Sequence, residues 1–208
     1  MSVVKYGCDS TTAAEFREQY RQQGYLHLKN FFDPFLANHF QSYFRPENLD
    51  DFFKAQYGKG FIAINYESSP EFIKEYNYLI NQKNYIEFLE NVTGCRPIGQ
   101  MMGHAYVSDK NEKRGYGFHS DNDDNRHFLV SINITSQKYE GGVFTMRNSK
   151  TQETLFQIHN NDSYGLLIAP IADYLEHAVS DVTGDVTRIT LLSWAMKQPQ
   201  APRFKMFE

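Results

Sequence analysis

The chain has 208 residues, 41% of them hydrophobic and 22% charged, with a formal net charge of −4. That length suits one domain with a sizeable core, while the acidic balance, with no Lys/Arg cluster to offset it, argues against a nucleic-acid-binding surface. Two cysteines, Cys8 and Cys95, are too few for a disulfide framework, and neither a signal peptide pattern in Met1-Ser-Val-Val-Lys-Tyr-Gly-Cys8 nor a bilayer-length apolar run is seen, so a cytoplasmic protein without a membrane partner is expected.

From residue 10, a Ser/Thr start, the apolar set Ala13, Phe16 and Tyr20, and Gly24 as a stop predict a helix. Tyr25-Leu-His-Leu-Lys-Asn-Phe-Phe32 reads as a strand, with His27 on the face opposite Leu26 and Leu28. Asp33 as cap and Pro34 in the first turn open a helix over about 34–44. It should turn Phe35, Leu36, His39 and Phe40 inward or nearly so, and both His27 and His39 are read as structural. Residues 45–69 have little periodicity and form either an ordinary connection or a substrate-covering loop. A helix then starts at Ser69-Pro70-Glu71 and ends at Thr93-Gly94, with Phe72, Ile73, Tyr76, Leu79 and Ile80, then Tyr85, Phe88 and Leu89, forming one stripe against a sheet.

After Pro97 the pattern becomes short strands between turns, at about 98–107, 116–121, 127–135, 142–147, 153–158, 163–169, 176–179 and 188–195. Many short strands at regular spacing indicate a sandwich or barrel. The organisation expected is one domain over 1–208, with 1–96 a helical buttress carrying the candidate lid and 97–197 the β core.

Within that core lies Gly115-Tyr-Gly-Phe-His-Ser-Asp-Asn122. Side chains two apart on a strand share a face, so His119 and Asp121 offer an imidazole and a carboxylate in one direction. His177 supplies a third ligand, and Arg188 follows it on the run that ends at Trp194. Two histidines and a carboxylate are the facial triad of non-haem Fe(II) oxygenases, and an arginine can hold an acid co-substrate.

His119-x-Asp121, His177 and Arg188-Ile-Thr190, with Tyr139-Glu-Gly-Gly-Val-Phe144 between them, resemble the Fe(II)/2-oxoglutarate-dependent dioxygenases. The layout over residues 100–194 is most similar to their prolyl-hydroxylase-like branch. The resemblance implies a double-stranded β-helix, a jelly-roll core of a mainly β chain with N-terminal helices, whose mouth holds Fe(II), 2-oxoglutarate and O2. It further implies His119, Asp121 and His177 as catalytic metal ligands, and Arg188 and Thr190 on the far carboxylate of 2-oxoglutarate. Tyr106 and Asn133 are further co-substrate candidates, Asn133 standing where that branch has a tyrosine. Asp121 itself disfavours halogenation, which in related enzymes goes with a small residue at that position.

Arg126, His127 and His104 are candidates for lining the substrate site, with Asp123 and Arg147 as further polar neighbours, whereas His159 reads as part of a turn. The activity implied is hydroxylation of an unactivated C–H bond in a small molecule, an amino acid or a biosynthetic intermediate, with succinate and CO2 released. Alternatives are a peptidyl or prolyl hydroxylase and a non-catalytic metal-binding jelly roll.

Overall fold

Two antiparallel sheets pack face to face, and side-chain alternation along their strands decides what each face does. The computed structural model describes residues 10–44, 61–64, 70–108, 115–159 and 164–199. The larger sheet runs in the order β1 (Leu26–Leu28), β9 (Leu166–Pro170), β5 (Arg126–Asn133), β12 (Ile189–Met196), β3 (Gln100–Ser108) and β2 (Phe61–Ile64). The smaller runs β4 (Tyr116–His119), β10 (Leu175–Val179), β7 (Val143–Asn148) and β8 (Thr154–His159), and a short ladder pairs β6 (Glu140–Gly141) with β11 (Val182–Thr183). This is the jelly-roll core expected, with helices α1 (Ser10–Gln23), α2 (Pro34–Gln41), α3 (Pro70–Ile80) and α4 (Lys83–Thr93) ahead of it.

On the larger sheet, Phe128, Val130, Ile132, Leu191, Ala105 and Ile168 join the helix residues Phe40, Phe72, Tyr85 and Leu89 in one apolar cluster. Their alternates Leu129, Leu167, Trp194 and Met196 join Phe144, Met146 and Leu175 of the smaller sheet in a second. The central strands are therefore buried on both faces, which is why Phe128-Leu-Val-Ser-Ile132 reads as an almost continuous apolar run rather than an alternating one.

Four local readings need correction. The helix expected from Ser69 to Gly94 is two helices, because Asn81 turns its amide to the backbone of Met101 and Gln82 is extended at φ −65°, ψ 138°. The Asp33 cap is as expected, accepting from the Phe35 N–H at 2.8 Å and the Leu36 N–H at 3.2 Å. Phe35, however, is 68% exposed, since the buried face of α2 runs through Leu36, Ala37 and Phe40. Strand β1 is only three residues long, the chain reaching a left-handed φ of 50° at Asn30. His159 ends β8 rather than sitting in a turn, paired with Val143.

Most of the candidate lid, 45–60 and 65–69, lies outside the described residues, while Phe61–Ile64 is the edge strand β2, paired with β3. No helix among the described residues is long and apolar enough to cross a membrane.

Candidate metal centre and anion pocket

His177 stands on the second strand of the smaller sheet, opposite His119 at the end of β4. Asp121 lies two residues beyond that strand's end, so it is the turn out of β4, and not strand alternation alone, that brings its carboxylate round. Asp121 Oδ1 is 3.7 Å from His119 Nε2, and Oδ2 is 3.8 Å from His177 Nε2. Donor atoms of the three all lie within 4.8 Å of one another, and no other such cluster of His, Cys, Asp or Glu occurs among the described residues. With metal–ligand bonds of about 2.1 Å, one ion spans donors up to about 4.2 Å apart, so the two Asp121 separations fit a single first-row ion.

The protonation states suit that use. His119 Nδ1 is 2.8 Å from the Gly117 carbonyl, which can only accept, so Nδ1 carries a proton and Nε2 is the nitrogen turned toward Asp121. Burial, reinforced by the neighbouring His119, pushes His177 down to about 4, leaving its ring neutral at ordinary pH. Phe144 stacks on His177 with centroids 5.1 Å apart, and Tyr116 meets His119 edge-on at 4.2 Å.

Two residues that the sequence reading left out complete the surroundings. Trp194 Nε1 donates to Asp121 Oδ2 at 2.7 Å, and Arg126 places its guanidinium over the Trp194 ring at 4.3 Å. Trp194 shares its strand face with Arg188 and Thr190, so alternation could have found it. Tyr139, whose hydroxyl accepts from Arg188 Nε at 3.3 Å, arrives from the segment just ahead of β6 and left no such signal.

Between the sheets a cavity of about 80 Å³ includes all three metal-ligand candidates, and along β12 its wall is formed in turn by Trp194, Leu192, Thr190 and Arg188. At roughly 10–15 Å³ for each water-sized unit, it admits a small multi-atom ligand. Arg188 is buried, and the bond to Tyr139 is its side chain's one hydrogen bond among the described residues, which offer it no carboxylate. Thr190 Oγ1, two residues on, is buried without a hydrogen-bond partner among the described residues. A buried cation without an anion and a buried hydroxyl without a partner are both costly, and one bound carboxylate would satisfy both. Gly142, at φ +61°, makes room for this arrangement: a Cβ there would lie 3.3 Å from the Arg188 side chain and 3.0 Å from the Tyr139 ring.

The remaining candidates divide. Tyr106 lines the cavity opposite Thr190, its hydroxyl pushed by burial up to about 12 and so protonated. Asn133 also lies opposite Thr190 but is not part of the cavity wall, and its Oδ1 accepts from the Thr135 N–H at 3.1 Å. His104 packs between Tyr106 and Trp194 behind the wall, and burial holds it near 4. Arg126 Nη1 donates to the Asp121 carbonyl at 3.0 Å, and His127 Nε2 lies 3.2 Å from the Pro97 carbonyl, so neither is on the cavity wall. Asp123 accepts from the Asn125 N–H, and Arg147 is on the far side of the smaller sheet, bonded to Glu176.

No family model and no curated protein matches this sequence. Solved structures do match its fold. A Pseudomonas putida prolyl-4-hydroxylase aligns at a TM-score of 0.60 with 14% identity, over 94% of this chain and 99% of that one. A Trichoplax adhaerens prolyl hydroxylase, solved with a peptide fragment of the hypoxia-inducible factor oxygen degradation domain, aligns at 0.63 with 13% identity, over 90% of each. The non-heme α-ketoglutarate-dependent carbocyclase SnoK from nogalamycin biosynthesis aligns at 0.59 with 12% identity, over 94% of this chain and 87% of that one. At these identities the likeness establishes the fold.

Proposed function

We propose that the protein is an Fe(II)/2-oxoglutarate-dependent dioxygenase that hydroxylates an unactivated C–H bond of a small molecule, an amino acid or a biosynthetic intermediate. The observation that carries this reading is the pairing, in one cavity, of the His119, Asp121 and His177 cluster with a buried Arg188 and an orphaned Thr190 hydroxyl. A metal-binding module without turnover has no use for the second half of that pair. Three solved proteins of the same fold carry oxygenase or hydroxylase names, which agrees with the reading.

In this role Nε2 of His119, Nε2 of His177 and the carboxylate of Asp121 would hold Fe(II), a ligand set that suits this ion and its chemistry with O2. Arg188 and Thr190 take the far carboxylate of 2-oxoglutarate, the guanidinium through a two-point fork. Tyr106 offers its phenolic proton from the facing strand. Leu129, Phe144 and Leu192 supply apolar wall that excludes water. With these groups bound, the centre couples oxidative decarboxylation of 2-oxoglutarate, giving succinate and CO2, to substrate hydroxylation. The two-cysteine count fits a reducing, cytoplasmic setting.

A peptide substrate is the second reading. It is favoured by the 39% exposure of Tyr116 beside His119 on an edge strand, and the Trichoplax adhaerens relative in fold was solved with a peptide.

The test is anaerobic reconstitution with Fe(II), then air, with succinate measured across a panel of amino acids, biosynthetic intermediates and peptides. Substrate-stimulated succinate formation is expected, with the stimulating member separating the two readings. His119→Ala and Asp121→Ala should lose iron binding. Arg188→Ala should keep iron and raise the 2-oxoglutarate requirement by roughly 10- to 100-fold, as expected for loss of a charge-assisted bond worth about 1.5–3 kcal/mol. Retention of iron by both ligand variants would end the assignment.

A further inference from the structure

We propose that Arg147 is a positioning residue for the two metal-centre histidines, gripping from the outer face of the smaller sheet the residue that precedes each of them. The proposal rests on reading His119 and His177 as metal ligands. Phe144 and Met146 point into the core between the sheets, so Arg147, adjacent to Met146, stands on the opposite face. Its Nε donates to Glu176 Oε1 at 2.5 Å, and its guanidinium carbon lies 3.4 Å from the centre of the Phe118 ring. Glu176 immediately precedes His177, and Phe118 immediately precedes His119.

Strands in a sheet lie about 4.8 Å apart. A side chain rooted on β7 that reaches both Glu176 on β10 and Phe118 on β4 therefore lies across the whole outer face of β10, which runs between them. β4 needs such support. It is a four-residue edge strand, its first three residues are exposed, and its register with β10 shifts between His177 and Val179. Little packing of its own fixes its rotation about the strand axis.

Because consecutive side chains on a strand point to opposite faces, holding Phe118 outward sets the direction in which His119 points inward, and holding Glu176 does the same for His177. One guanidinium makes both contacts, so the two rings are held relative to each other as well as to the sheet. The side chains of Arg147 and Glu176 are 23% and 17% exposed, sheltered enough for the pair to escape most screening. Arginine suits the task where lysine does not, since the edge of its planar group bonds a carboxylate while its face stacks on a ring. Gln152 adds a further bond to Glu176 at 3.3 Å. None of these residues lines the cavity, so their part in the reaction passes through the histidines.

The experiment titrates Mn(II), a redox-stable probe, into the metal-free full chain and follows free Mn(II) by electron spin resonance, with circular dichroism melting beside it. The proteins are wild type, Arg147→Met, Arg147→Lys, Glu176→Gln, Phe118→Leu and the Glu176→Gln/Phe118→Leu double variant. Gln157→Ala is the control, since it removes an outer-face bond to Thr145 that touches neither histidine's neighbour. Arg147→Met is expected to weaken Mn(II) binding about tenfold, the lower end of what losing an outer-shell partner costs. Arg147→Lys should recover part of the loss, and Gln157→Ala should bind like wild type. A folded Arg147→Met with wild-type Mn(II) affinity overturns the proposal and leaves the ligand assignment standing. No Mn(II) binding by wild type overturns both. Should Arg147→Met fail to fold, wild-type affinity in the double variant overturns it, and weakened affinity in a folded double variant supports it.

Discussion

Trp194 is where the candidate centre's carboxylate rests. Its indole N–H donates to Asp121 Oδ2 at 2.7 Å, and Arg126, stacked over the same ring, donates to the Asp121 backbone carbonyl. Trp194→Phe keeps a ring beneath Arg126 but removes the only N–H that Trp194 can offer the carboxylate. Iron affinity should fall roughly tenfold while 2-oxoglutarate affinity for the metal-loaded protein stays close to wild type, both read by anaerobic isothermal titration. An unchanged iron affinity would show the bond to be incidental. That His119, Asp121, His177, Arg188 and Thr190 gather at one cavity was foreshadowed in the sequence because each brings its own chemistry. Tyr139 and the true surroundings of Asn133 were not, since hydrogen bonds between remote segments leave no trace in spacing.

Among the elements, α3 does something a stripe of apolar residues does not announce. Strand β2 covers the β3 edge only from Ala105 to Ser108. Beyond it, Asn77 bonds both the N–H and the C=O of Gly103, at 2.9 and 3.0 Å, and Asn81 does the same for Met101, at 2.9 and 2.8 Å. Two amides four residues apart on a helix thus substitute for a missing strand, and the second ends α3 in doing so. Asn81→Ala leaves a backbone donor and acceptor of β3 without these partners. It should cost roughly 2 kcal/mol and lower the melting temperature by about 4–8 °C in a calorimetric scan. A wild-type melting temperature would mean that water replaces the amide at no cost. The stripe from Phe72 to Leu89 was readable as a buttress, but the break at Asn81 was not, because the partner that stabilises it lies on another element.

At the scale of the whole molecule, apolar burial on both faces of the larger sheet also encloses titratable groups. Burial against Tyr106 and Trp194 holds His104 near 4, against an ordinary 6.5. As pH falls through 6.5 the unfolded chain takes up a proton at this residue that the folded chain refuses until about 4. The unfolded state therefore binds more protons in that window, and stability drops as pH falls across it. The contribution of His104 alone is about 2–3 kcal/mol between about pH 7 and about pH 4.5. Urea unfolding of the metal-free protein should show that loss in wild type and a smaller slope in His104→Gln, and equal slopes would mean that His104 titrates normally.

From the residues alone one could determine the β character of the chain after Pro97, the direction in which His119, His177 and Arg188 face, and the kind of ion and acid they suit, since alternation and ligand chemistry are properties of a few neighbouring side chains. Tertiary structure alone decided that Trp194 and Tyr139 hold the charged groups, that Asn77 and Asn81 complete a sheet edge, and that Arg147 turns away from the cavity. Each depends on strand order and register, which are settled by contacts between segments far apart along the chain.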